Sequence, residues 1–317
     1  MIHLIIPIYN VEPYLKRCLD SVKAQNADGF RAVLVDDGST DGCNAICKAY
    51  AASDSRFLLL EKKNGGLSDA IRYGISHSPD CDYFMFLDGD DALEPDVVKM
   101  VEDLIAAHAP DMVMCDFCKV YDDGKEENVT CEIKEGVYAG DDFEMLKERY
   151  RAGELSPSRC NKIFRASLVR ETLPYYDNRV GMGEDKLFTT INLFAAHSLV
   201  YVKKRLFLYY QNGTSFMHCY KESYVDSYLT VYRKLTEYFG DDAYARQILL
   251  EYTKVTMHLI LDYGGAWQYQ KAQLRRVCES PEVSDALARY APADLKGKVF
   301  RFLVRHRHYR ILKILMK

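Results

Sequence analysis

The sequence predicts an α/β fold, a mostly parallel sheet covered by helices on both faces and followed by a helical C-terminal extension. Three observations carry this. Over residues 1–108, short continuous apolar runs alternate four times with amphipathic helical patterns, as expected of strands buried on both faces. A cluster of turn formers follows each apolar run. From Tyr220 onward the strand pattern stops and helical periodicity takes over.

The elements follow in order. Residues 3–9 form the first apolar run. Residues 13–25 place Tyr14, Leu15, Cys18, Leu19 and Val22 on one helical stripe, with Pro13 suited to the first turn. A second strand over 30–35 ends in Asp36-Asp-Gly-Ser-Thr-Asp-Gly42, and a helix runs on to about residue 52. The unit repeats as a strand over 56–60, a break at Asn64-Gly-Gly66 and a helix over 67–76. It repeats again as a strand over 83–87, the loop Asp88-Gly-Asp-Asp91 and a helix over 94–108. Residues 111–121 form a strand, 126–138 a short hairpin and 141–151 a helix whose leading Asp141 and Asp142 suit the helix dipole. Strands over 160–164 and 198–210 flank a helix that opens at 182–186, and helices span 220–239 and 244–263. The expected division is a domain over 1–215, with halves 1–108 and 109–215, and a helical region over 216–317.

Composition limits the function classes. The chain has 317 residues, 48% hydrophobic, 12% aromatic and 28% charged, which is ordinary globular usage with ample length for a core. Its net charge of -4 conceals an asymmetry, because residues 296–317 hold eight basic side chains and no acid. Residues 1–295 therefore carry 34 basic against 46 acidic side chains, a balance that excludes a general nucleic-acid binder. The ten cysteines are scattered, and Cys115 and Cys118 lie in an alternating strand with no second pair at zinc spacing, so a reduced, cytoplasmic setting fits. No apolar run reaches the roughly 18 residues that a spanning helix needs.

In parallel sheets the ligand crevice lies beyond the carboxyl ends of the strands. Asn10, Asp36-Asp37, Asn64-Gly65-Gly66 and Asp88-Gly89-Asp90-Asp91 all follow strand ends and converge on one acidic edge. Such carboxylates serve either a hard divalent cation or acid/base work. In Asp88-Gly-Asp90 both carboxylates can face the crevice, Gly89 permits close backbone approach, and a bound cation would be completed by substrate phosphates. Glycine-rich dinucleotide and P-loop signatures are missing.

Ile5-Ile-Pro-Ile-Tyr-Asn-Val-Glu-Pro-Tyr-Leu15, Val35-Asp-Asp-Gly-Ser-Thr-Asp-Gly42, Asn64-Gly-Gly-Leu-Ser68 and Phe86-Leu-Asp-Gly-Asp-Asp91 together resemble the successive motifs of bacterial family 2 glycosyltransferases. Cys160-Asn-Lys-Ile-Phe164 and Gly183-Glu-Asp-Lys-Leu-Phe188 extend the resemblance to about residue 215. It implies a GT-A fold and an inverting transfer from a nucleotide-sugar, most often a UDP-sugar, with Mn²⁺ or Mg²⁺. By position, Pro7, Tyr9 and Asp37 would hold the base, with Tyr9 on the uracil and Asp37 accepting its imide N–H. Glu12, Gly66, Asp88, Gly89 and Lys162 would complete the nucleotide-sugar site. Asp90 would be the direct metal ligand with Asp88 beside it, His218 a further candidate, and Asp185 the general base. Asp36, Glu12 and Glu184 have equally good structural readings as turn, cap or first-turn acids. The family often has Ala-Arg-Asn after Gly-Gly-Leu-Ser, where this chain has Asp69-Ala-Ile-Arg72.

The resemblance also implies a glycan or polyprenyl-linked acceptor in cell-surface polysaccharide synthesis. Two other classes use the same sheet edge. A sugar-phosphate nucleotidyltransferase would release pyrophosphate, and a catalytically silent glycan-binding module would release no nucleotide. The tail at 296–317 interleaves basic and large apolar residues, which suits either an anionic membrane, on the inner face of which the enzyme would be peripheral, or docking on protein.

Overall fold

The computed structural model describes residues 1–211, 220–240, 242–263, 265–292 and 295–315. The chain falls into two compact units, one of Met1–Arg179 with Asp185–Asn212, the other of Val180–Glu184 with Gly213–Lys317. Strand and helix periodicity gives no sign that residues 180–184 leave the first unit and return to it.

The first unit opens with β1 (Ile2–Ile8), α1 (Glu12–Lys23), β2 (Phe30–Asp36), α2 (Cys43–Ser53), β3 (Phe57–Glu61), α3 (Leu67–Ser76) and β4 (Tyr83–Phe86). β1 pairs in parallel with both β2 and β4, and β2 with β3. The registers Ile8↔Asp36 and Asp36↔Glu61 bring three strand ends level. Pro7 is tolerated within β1 because pairing with β4 stops at Ile5↔Phe86, so its missing N–H faces a gap in the ladder. β5 (Ala92–Leu93), α4 (Val97–His108), β6 (Met112–Val120), β7 (Glu126–Val129), β8 (Gly136–Ala139), α5 (Gly140–Arg151), β9 (Lys162–Arg165), α6 (Ala166–Thr172), α7 (Glu184–Ala195) and β10 (Ser198–Tyr210) follow.

The sheet order is β3-β2-β1-β4-β9-β6-β10-β5, with β7 on β6 and β8 on β10. The parallel pairing expected from the apolar runs holds for β3-β2-β1-β4 and for β6 with β10. β9, β5, β7 and β8 pair antiparallel with their neighbours, so the sheet is mixed. The hairpin expected over 126–138 does not form, because β7 pairs with β6 and β8 with β10. Periodicity marks a strand but not its partner. Cys115 and Cys118 are buried in β6 as free thiols.

The second unit is helical, with α8 (Ser223–Phe239), α9 (Ala243–Tyr263), α10 (Trp267–Cys278), α11 (Pro281–Arg289), α12 (Leu295–Arg305) and α13 (Tyr309–Leu315). α11 starts where Ser280 Oγ accepts the Val283 N–H and Pro281 occupies the first turn. Tyr228, Leu249, Ile260, Leu274, Val283, Leu303 and Leu312 share its core. Among the described residues no helix is long and apolar enough to cross a membrane.

His3 lies buried in β1, where burial and then the Arg31 charge pull its pKa down from 6.5 to about 4. Its neutral form is the folded form. Stability from this group is therefore complete above about pH 6.5 and declines as pH falls toward 4, by about 3 kcal/mol in all. Urea unfolding across this range should show His3→Leu losing that part of the pH slope.

Candidate active site

The parallel strands β1 to β4 deliver their following turns to one edge. Asp37 N donates to Ile8 O (2.9 Å), Lys62 N to Asp36 O (3.0 Å) and Leu87 N to Ile5 O (3.2 Å), so each chain leaves its strand against the next. Asn10 takes a left-handed conformation, φ 52°, and its Oδ1 accepts Thr40 N at 2.8 Å. Glu12 Oε2 accepts Gly42 N at 2.7 Å, joining the starts of α1 and α2. Asp36 Oδ1 accepts Ser39 N and its Oδ2 accepts Asn44 Nδ2, the local bonding of a turn residue. Tyr9 projects from the end of β1 with 48% of its surface exposed, available to a planar ligand.

Asp37 is the hub of this edge. Its buried carboxylate accepts Gly65 N at 2.9 Å on Oδ1 and Gly66 N at 2.8 Å on Oδ2, and Lys62 Nζ also donates to Oδ1. Gly66 holds φ 89° with open space where a side chain would stand, a conformation that favours glycine. Lys62 also reaches Asp69 at 2.7 Å. Burial pulls its ammonium down, but the two carboxylates outweigh this and hold it above its ordinary value. Asp37 thus sets the shape of the loop after β3. Arg72 Nη1 donates to the carbonyls of Leu173 and Tyr176, both at 2.9 Å, so it ties α3 to the end of α6.

The second focus joins three distant segments. β9 runs antiparallel to β4, with Met85 opposite Ile163, so the loop entering β9 meets the turn leaving β4. Arg159 in that loop is 1% exposed and bridges two carboxylates, with Nη2 to Asp88 Oδ1 at 2.5 Å and Nη1 to Asp185 Oδ1. Asp185 stands in the first turn of α7, one helical turn before Phe188. That ring packs on Phe86, Phe164 and Tyr176 with centroids 5.2, 5.2 and 5.3 Å away, which fixes the helix start over the sheet. Desolvation pushes the Asp185 carboxyl above its ordinary value, and the Arg159 charge opposes without cancelling it. A raised carboxylate suits a general base.

Lys162 lies in the same motif but faces inward. Its ammonium donates to Ser156 O (2.8 Å), Ser158 O (2.7 Å) and Asn161 Oδ1 (2.7 Å). An ammonium has three donors, and all three are used to shape the loop that carries Arg159. Burial lowers its pKa to about 8. Gly89 packs against the end of β1, where a Cβ would meet Val11 Cγ2 at 3.2 Å and Pro7 O at 3.3 Å. The Asp88–Asp91 turn is therefore seated on the β1 end, and Arg17 Nη2 holds Asp90 O at 2.6 Å.

These residues fit a hard divalent cation completed by substrate. Among the described residues no cluster of three His, Cys, Asp or Glu side chains forms a closed metal site. Asp91 Oδ1 is turned to the Tyr210 amide at 3.0 Å. Burial first, then the Asp88 and Asp90 charges, push the Asp91 carboxyl well up, against the Tyr210 N–H and the Arg17 charge. Asp90 and Asp88 Oδ2, which also accepts the Cys160 thiol at 3.7 Å, would be the oxygen donors for a cation there.

Arg159 is absent from the residues that sequence reasoning selects. Its only signal is adjacency, since it directly precedes Cys160-Asn-Lys-Ile-Phe164. His218 lies outside the described residues.

A glycosyl transferase family 2 model matches residues 3–173. EpsH of Bacillus subtilis (strain 168) is 25% identical over 320 residues, covering 96% of this chain and 92% of EpsH. GgaB of the same strain, a minor teichoic acid biosynthesis protein, is 34% identical over 108 residues, 33% of this chain and 12% of GgaB. Among solved structures, S. aureus TarS 1-349 in complex with UDP has a TM-score of 0.71 at 18% identity, covering 98% of this chain and 89% of that one. Its complex with UDP-GlcNAc gives 0.71 at 20% identity, with 98% and 88% covered. The matched span holds both the Asp37 hub and the Asp88–Arg159 pair, and the chain belongs to glycosyl transferase family 2, as a glycosyltransferase of GT-A fold.

Proposed function

We propose that this enzyme transfers a sugar, with inversion, from a UDP-sugar to a glycan or polyprenyl-linked acceptor of a cell-surface polymer, with Asp185 as general base. The observation that carries the reading is the Asp88–Arg159–Asp185 bridge. It joins Asp88, a member of the metal-type pair, to Asp185 through a buried cation. Tyr9 would stack on the uracil while the Asp37 carboxylate accepts its imide N–H, with Pro7 and the Gly66 turn shaping the walls. Asp185 would take the proton of the acceptor hydroxyl as that oxygen forms its bond to the anomeric carbon. The bond from that carbon to the diphosphate oxygen breaks, and UDP leaves from the opposite face. Asp90 with Asp88 would hold Mn²⁺ or Mg²⁺, which supplies positive charge to the leaving diphosphate.

TarS is shown with UDP and with UDP-GlcNAc, and GgaB is named for a wall polymer. Both agree with this choice of donor and acceptor class. The test is a panel of UDP-, GDP- and dTDP-sugars with Mn²⁺, read by released nucleotide. Release confined to GDP or dTDP donors refutes the UDP reading, and pyrophosphate release from a nucleoside triphosphate would favour a nucleotidyltransferase. Asp90→Ala should weaken Mn²⁺-dependent UDP binding by calorimetry about tenfold or more, in line with loss of a charge-assisted contact.

A further inference from the structure

The last two helices expose a surface that the transfer chemistry does not use. Their inner faces are committed to the second unit's core through Leu303 and Val304 of α12 and Tyr309 and Leu312 of α13. Their outer faces remain apolar. On α12, Leu295 (76% exposed), Val299 and Phe302 (54% exposed) follow the spacing i, i+4, i+7, which lines them along one side. On α13, Ile311 and Ile314 (74% exposed) do the same at i, i+3. These five are nearly half of the large hydrophobic side chains exposed among the described residues, so the concentration is not the ordinary scatter of a protein surface.

Basic side chains are set among them. Lys296, Lys298, Arg305 and Arg310 are exposed and make no ion pair among the described residues, whereas Arg307 is held by Glu279 at 3.1 Å. Lys298, Arg301, Arg305 and His306 surround Phe302 and Pro292 in a groove of about 540 Å³. We propose that the outer faces of α12 and α13 dock this protein on an anionic phospholipid bilayer, with the groove receiving a phosphate headgroup. The argument is charge complementarity joined to exposed apolar surface. A bilayer interface accepts the apolar side chains at the acyl boundary and places phosphates beside the cations. A second copy would meet this face with the same unpaired positive charge, and a nucleic-acid backbone offers nothing to five exposed aliphatic and aromatic groups. The inference stands apart from the transfer reaction.

Full-length protein should sediment with vesicles of phosphatidylcholine containing one part in three phosphatidylglycerol, and not with phosphatidylcholine alone. Lys298→Ala with Arg305→Ala should weaken this about 30-fold, and Phe302→Ser about tenfold. Ile314→Ser, on the other helix, gives a second reading should either α12 variant lower the melting temperature. Absence of wild-type sedimentation with anionic vesicles overturns the proposal, as does binding unchanged in the variants that keep the wild-type melting temperature. Displacement by free inorganic phosphate would assign the groove to a soluble anion and overturn it. So would a wild-type dimer in sedimentation velocity that Phe302→Ser dissociates, because a second copy would then occupy the face.

Discussion

Asp185→Asn is expected to lower turnover by about 10² to 10⁴-fold, the contribution of a positioned general base, while UDP affinity stays at the wild-type level. The amide has nearly the same shape and still accepts a hydrogen bond from Arg159, so the fold should tolerate it. What it cannot do is take the acceptor proton. Single-turnover nucleotide release and calorimetric UDP binding separate the two effects. Wild-type turnover in this variant would remove Asp185 from the base role, and a parallel loss of UDP binding would mark it as a donor-site residue instead.

Arg159→Met should have the second largest effect, on stability and rate together. It leaves Asp88 and Asp185 as neighbouring carboxylates without their shared cation. Breaking a buried ion pair from one side costs about 3 to 5 kcal/mol. The lower end applies here, because Asp88 and Asp185 keep 35% and 31% of their side-chain surface in solvent. Loss of the clamp also releases the first turn of α7, and a displacement of the base by an ångström is worth about 10² in rate. The pH profile distinguishes positioning from simple instability. The Arg159 charge lowers the Asp185 carboxyl, so its removal raises that group further. The acid limb of kcat, which rises as the base loses its proton, should therefore move to higher pH. Arg159→Lys should not restore the wild-type profile, because one ammonium cannot span both carboxylates as the guanidinium fork does. A variant that melts lower but keeps its pH limb would make Arg159 structural only.

The two foci differ in how far the sequence reveals them. The edge formed by β1 to β4 was legible because each turn follows its own strand, and parallel pairing makes the carboxyl ends coincide. Asp37, Gly66, Asp88 and Asp90 reach that edge by local chain direction. The roles of Glu12 and Lys162 were less legible, since residue type allows a ligand contact and only the positions of Gly42 N and of the Ser156 and Ser158 carbonyls show those groups already bonded. Arg159 was not legible. Its partners lie 71 and 26 residues away, and nothing in the spacing of an isolated arginine marks a buried bridge.

The sequence by itself determined the alternation of strand and helix, the acidic strand-end edge, the family motifs and the basic, apolar C-terminal segment. These depend on near neighbours, whose periodicity and turn chemistry act within a few residues. The tertiary structure decided which strands pair in which direction, which ammonium and carboxylate groups are spent internally, and which side of α12 and α13 faces the core. Those outcomes depend on burial and on contacts between segments far apart in the chain. A charged side chain has one meaning in solvent and another when a distant loop encloses it, and Arg159 acquires its role only when β9 lies antiparallel to β4 beneath the start of α7.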